Sequence, residues 1–192
     1  MLLSPQQAYN IIVKQSEYLT ANIPDFSGIN VVELANYGFA VAKTESRSFN
    51  TDAKNSNSTA KGMMQIVDGT KQFIETKILK IPVADISKMF DPDYNCLLGV
   101  AYLAYQYKRY GDWRKAVIAY NQGSYNDGEA GQSYYATASK FYANTDFASL
   151  LPTPKYTASL FSGKINKNVL FFVSGSVLGI IILNIYNKMR LK

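Results

Sequence analysis

Apolar residues recur every three to four positions through most of residues 1–151, and no sustained two-residue alternation marks out a pair of strands. Ala8, Ile11, Ile12, Gln15, Tyr18 and Leu19 fall on one helical face. Ahead of them, Ser4-Pro5-Gln6-Gln7 reads as an N-cap, a proline at the first helical position and the glutamine of a capping box. Pro24 and Ser27-Gly28 interrupt the pattern. Asn30, with Glu33 three residues on, then starts a helix that carries Val32, Ala35, Phe39 and Ala42 toward Glu45. Residues 46–62 (SRSFNTDAKNSNSTAKG) are polar and read as a loop. A short apolar stretch, MMQIV, follows, and Asp68 is placed to cap a helix to about Leu79. Asp91-Pro92 opens the strongest helical signal, with Tyr94, Leu97, Leu98, Ala101, Tyr102 and Tyr105 on its apolar face and Gly111 at its end. Asp112 caps a helix over 113–121, and 132–143 reads as a further helix. The body is expected to be all-α, with loops gathered around Glu45 and Asn121.

The pattern changes near the C-terminus. Val169 to Ile185 (VLFFVSGSVLGIIILNI) is apolar and uncharged. As a helix it rises ~26 Å, close to the thickness of a hydrocarbon core. Pro152, Pro154 and Gly163 break helix in the segment before it. The expected organisation is therefore a helical domain over 1–151, a linker over 152–166, a transmembrane helix over 167–187 and a basic tail over 188–192. A lipid bilayer is accordingly an expected partner through residues 167–187. The flanking charges are too balanced to set an orientation. MLLSPQQAYN lacks the charged start and apolar run of a secretory signal.

Charge supports this division. All six positive charges of the net +6 lie beyond residue 151, at Lys155, Lys164, Lys167, Lys188, Arg190 and Lys192. The body holds 14 basic against 14 acidic residues and has no basic stripe, so nucleic acid is not an expected partner. Composition narrows the chemistry further. With 47% hydrophobic residues the chain can bury a core. It contains no His and one Cys, Cys96. That excludes a Ser-His-Asp triad, a Cys-His pair, a His-bound zinc and an intramolecular disulfide. Catalysis is left to carboxylates, Tyr, Lys, Ser and backbone dipoles.

Glu45 stands out among the carboxylates. It closes an apolar helix just before the long polar loop. The negative end of the helix dipole and neighbours such as Phe39 and Val41 both disfavour its charge, so its pKa is expected to rise toward that of a general acid. Asp68 and Asp91 are better explained as caps.

Four blocks around Glu45 resemble the lytic transglycosylase family, the SLT-type domain of the lysozyme superfamily. They are Glu45-Ser46 with the loop that ends in Ala60-Lys61-Gly62-Met63-Met64-Gln65-Ile66; DPDYNCLLGVAYL at 91–103; AYNQG at 119–123; and Glu129 with Tyr134 or Tyr135. They occur in family order across roughly residues 32–142. The chain departs from the family in its longer loop after Glu45, in Thr51 where a Pro is common, and in Thr59 where a Gly is common.

The resemblance implies a lysozyme-like fold. It implies cleavage of the β-1,4 bond between N-acetylmuramic acid and N-acetylglucosamine in peptidoglycan glycan strands, with 1,6-anhydro ends and no cofactor or metal. Glu45 would be the catalytic residue. Ser46, Met64, Gln65, Tyr120, Asn121 and Tyr134 would bind substrate, with Tyr134 preferred over Tyr135 for the cleft. Two alternatives stay open: a muramidase of the same fold in which Asp52 activates water, and a catalytically silent wall-binding or structural membrane protein. The expected setting is a phage virion membrane, the enzyme opening the wall locally as the genome enters the cell; a bacterial inner membrane facing the periplasm is the alternative. Oligomeric state is not legible in the sequence.

Overall fold

In the computed structural model, which describes residues 1–151, the capping signals of the sequence become hydrogen bonds. Ser4 Oγ accepts from the Gln7 N–H while Gln7 Oε1 accepts from the Ser4 N–H, closing the box that starts α1 (Pro5–Asn22). Asn30 accepts from the Val32 and Glu33 N–H groups to start α2 (Val31–Ser46). Asp91 does the same for α4 (Pro92–Tyr110), which ends at Gly111. Asp112 caps α5 (Trp113–Gln122). A 3-10 turn at Pro24–Phe26 joins α1 to α2, and another at Ile86–Phe90 leads into α4. α6 (Glu129–Ala143) starts three residues before the periodicity placed it, and a single turn, α7 (Phe147–Leu150), follows.

α3 (Asp68–Phe73) differs from expectation. Asp68 is not its cap. Its N–H donates to Thr59 Oγ1 at 3.1 Å and its carboxylate pairs with Lys61 at 2.9 Å. Beyond Phe73 the helix widens to a π-helical stretch, Ile74–Leu79, and stops at Lys80 in a left-handed conformation.

α4 is the axis of the fold. It is buried almost all round and packs against α1, α2, α5 and the π-helical stretch. Ile12 and Leu19 of α1, Phe39 of α2, Leu98 and Leu103 of α4 and Val117 of α5 meet in the core with less than 2% exposure. α2 and α5 both pack on α6. Spacing places Tyr18 on the buried face of α1, yet it is 49% exposed. Ser16 is buried in its stead, its hydroxyl donating to the Ile12 carbonyl at 2.8 Å.

The all-α expectation describes residues 1–151: only isolated bridges interrupt the helices, and no strand is named among the described residues. The expected membrane helix is corrected. No helix among the described residues is long and apolar enough to cross a membrane. The linker over 152–166, the helix over 167–187 and the tail over 188–192 lie outside the described residues, and the bilayer as a partner loses its support with them.

Candidate active site

Glu45 sits in the last turn of α2, whose inner face is anchored by Phe39, Val41 and Ala42. Its half-buried carboxyl is lifted from an ordinary value of 4.5 to about 7, because burial disfavours the charge. The hydroxyl of Tyr134, on α6, donates to Glu45 Oε1 at 2.5 Å and opposes that rise by favouring the charged form. The packing of α2 on α6 creates this pair across 89 residues of sequence. Burial and the charge of Glu45 hold the Tyr134 phenol well above its usual range, so it acts as a donor and not as a base.

The loop after Glu45 is tightly shaped. Arg47 and Phe49 both take positive φ, 52° and 51°. Such geometry costs a residue with a Cβ ~1–3 kcal/mol. It is stabilised here by burial of the Phe49 ring against Phe39, centroids 4.8 Å apart. The N-terminal residues pair with the same loop: Leu3 N–H donates to the Phe49 carbonyl at 3.2 Å, and Thr51 N–H to the Met1 carbonyl at 2.9 Å. Thr51 therefore uses an N–H that the proline common in its place would lack.

Gln65, half-buried, also has a positive φ, 47°, and its Nε2 donates to the Gly62 carbonyl at 2.9 Å. Tyr120, in the last turn of α5, donates to the Met64 carbonyl at 2.8 Å. Burial, then the charge of Glu45, raises the Tyr120 phenol well above its usual range. Asn121 beside it is exposed.

The sequence matches the family model described as Transglycosylase SLT domain over residues 34–142, more than half of the chain. The chain belongs to this family. No curated protein matches it. SLT domains are peptidoglycan lytic transglycosylases, glycosidic-bond lyases of the lysozyme-like superfamily, so peptidoglycan is the substrate class that membership implies.

Within the SLT domain, the structure joins Glu45 to Tyr134 directly and gives the other candidates different partners. Tyr120 bonds to the Met64 backbone and not to Glu45. Ser46 Oγ turns back to the Ala42 carbonyl at 3.2 Å. Met64 is fully buried, its side chain against Gly99, so it offers no surface to a ligand. Tyr135 points elsewhere, its ring under the Arg114 guanidinium. Asp52 is exposed and engaged by the Met1 amine, which holds its carboxyl below the usual range. Among the described residues no group of three or more Asp, Glu or Cys side chains is gathered to hold a metal. Cys96 is buried and its thiol pushed far up by burial, which leaves it without thiolate reactivity.

Two features escaped the sequence reading. Asn95 on α4 binds the backbone on both sides of the Gly62-Met63 step, and Lys71, Glu75 and Tyr94 form a buried polar cluster. For Asn95 the signal was present in DPDYNCLLG, where Asn95 and Gly99 are one helical turn apart on the same face.

Proposed function

We propose that the protein is a lytic transglycosylase that cleaves peptidoglycan between N-acetylmuramic acid and N-acetylglucosamine with Glu45 as both acid and base. The observation that carries this is the Glu45 carboxyl itself: half-buried at a helix end, lifted to about 7 and oriented by Tyr134. At neutral pH about half of such a group is protonated, which suits proton transfer in either direction.

Glu45 delivers its proton to the glycosidic oxygen as the bond to C1 of the muramic acid breaks. The carboxylate left behind then takes the proton of the C6 hydroxyl, whose oxygen closes on C1 to give the 1,6-anhydro ring. The leaving sugar gains one proton, Glu45 regains one, and no water is consumed. Most glycosidases use a second carboxylate. Burial and the Tyr134 bond are the causes of the Glu45 shift, and no neighbouring carboxylate contributes to it. Asp52, the base of the muramidase alternative, is bound to the Met1 amine. Both points favour one carboxylate over two. Asn121, exposed, and Gln65, half-buried with its Nε2 on the Gly62 carbonyl, are the residues of the family blocks whose side chains keep surface for the glycan. The setting in which a phage genome enters the cell is proposed from the sequence alone.

The test is mass spectrometry of muropeptides released by the full chain and by Glu45→Gln. Products one water lighter than the hydrolysed ones, lost in the variant, are expected. Products with free reducing ends would refute the anhydro chemistry, and undiminished release by the variant would refute the role of Glu45.

A further inference from the structure

We infer that Asn95 is a positioning residue of the glycan site: its carboxamide holds the Met64 backbone so that Gln65 is presented in its left-handed conformation. This rests on the reading above, in which Gln65 meets the glycan.

A glutamine at φ 47° is not where a free chain would put it. It persists only if the surroundings over-determine it. The determinants can be named. Asn95 Oδ1 accepts from the Met64 N–H at 2.8 Å, and Asn95 Nδ2 donates to the Lys61 carbonyl at 3.0 Å. Tyr120 Oη donates to the Met64 carbonyl at 2.8 Å. Asn95 thus fixes the peptide that enters Met64, while Tyr120 on the Met64 carbonyl and the Gly62 carbonyl, which accepts from the Gln65 N–H at 3.2 Å, fix the peptide that leads from Met64 into Gln65, and together they set the direction of Gln65. Two glycines make the grip possible. A Cβ on Gly62, itself at φ 75°, would fall 2.4 Å from Asn95 Nδ2 and from the Met89 carbonyl. A Cβ on Gly99, one turn beyond Asn95, would fall 2.3 Å from Met64 Sδ. Asn95 and Gly99 thus form one cradle on α4 for the Met64 residue, and Asn95 is 1% exposed within it.

The residue that this grip holds in a strained conformation is the one placed to face the glycan, and strain held by over-determining surroundings at a site is what presentation of a side chain requires. It also accounts for the spacing of Asn95 and Gly99 without either reaching substrate.

A double-mutant cycle on the full chain tests the assignment, with kcat and KM measured on purified glycan strands for wild type, Asn95→Ala, Gln65→Ala, the double variant and Glu45→Gln. If Asn95 acts through Gln65, Asn95→Ala lowers kcat/KM by ~100-fold, as loss of alignment does. The same change in the Gln65→Ala background then costs less than about 3-fold, because coupled residues are not additive. Amide exchange at Met64 should quicken in Asn95→Ala. Equal losses in both backgrounds, or wild-type kinetics from the folded fraction of Asn95→Ala, would overturn the inference. Asn95→Asp, which keeps the acceptor for Met64 N–H, provides a second variant if the alanine form does not fold; it should fall between wild type and Gln65→Ala, and wild-type kinetics in it would count against the positioning role. An active Glu45→Gln would instead remove the proposed function. Wild-type kinetics in Gln65→Ala with an inactive Glu45→Gln would leave the acid in place and remove the role of Gln65.

Discussion

Replacing Glu45 by Gln should abolish cleavage, and it should stabilise the protein increasingly as pH rises above about 4.5. The folded state raises the Glu45 pKa from 4.5 to about 7. The native protein therefore binds this proton more tightly than the unfolded chain. Below the unfolded value both states are protonated and burial carries no charge penalty. As pH rises from there, the unfolded carboxyl ionises first, and stability falls until the native group has ionised as well. A shift of this size corresponds to ~3 kcal/mol, or roughly 2–3 kcal/mol once partial exposure is allowed for. Gln has the same shape, stays neutral and can still accept from Tyr134. Urea unfolding followed by circular dichroism at pH 4.5, 6, 7.5 and 8.5 should thus show nearly equal stability at the first and a growing advantage for the variant at the rest. In thermal terms the gap at pH 8.5 is roughly 4–12 °C for a chain of this size. The chain has no His, so no other side chain of ordinary pKa titrates between pH 5 and 8 to blur the comparison. A stability difference that is constant across pH, or a variant less stable at pH 8.5, would refute the reasoning.

Three further outcomes are expected. In wild type, kcat/KM should decline above about pH 7 as Glu45 loses its proton; Tyr134→Phe removes a bond that favours the carboxylate, so its alkaline limb should move up, and a downward shift in the pH–rate profile would contradict that geometry. Lys71→Met strands the Glu75 carboxylate, which is fully buried and paired to Lys71 at 2.8 Å, and should cost ~3–5 kcal/mol in urea unfolding; replacing both partners with apolar residues should cost less. Thr51→Pro deletes the N–H and the hydroxyl that both donate to the Met1 carbonyl, and a loss of ~1–3 kcal/mol is expected from the shift in urea midpoint.

Local signals accounted for the helices well, because Ser4, Asn30, Asp91 and Asp112 each act within three residues of themselves. Contacts made by chain reversal were not legible. Asp68 reads as a cap because nothing in its neighbourhood announces Thr59 nine residues earlier. Tyr134 and Tyr135 are successive and differ by ~100° around the helix axis, so only the seating of α6 on α2 decides which meets Glu45. Lys71 and Glu75 look like an exposed pair one turn apart. They are buried because Ala84 closes over them, its N–H donating to Glu75 and its carbonyl accepting from Lys71, while the Tyr94 hydroxyl also donates to Glu75. The positive-φ residues Arg47, Phe49 and Gln65 carry no sequence mark at all, since none is Gly, Asn or Asp.

Trp113 has a use unrelated to the wall. Its ring is sandwiched between Tyr107, at 4.0 Å and nearly parallel, and Tyr37, at 4.8 Å, with Tyr142 stacked beyond at 4.5 Å. These four rings come from α4, α5, α2 and α6, the helices that supply Asn95, Tyr120, Glu45 and Tyr134. Excitation absorbed by the tyrosines will pass to the single indole, and the asymmetric stack will give a strong near-ultraviolet circular dichroism band. Both signals vanish when the rings part. The protein therefore carries a built-in optical gauge of whether the four helices are seated together, readable without a label in every variant above.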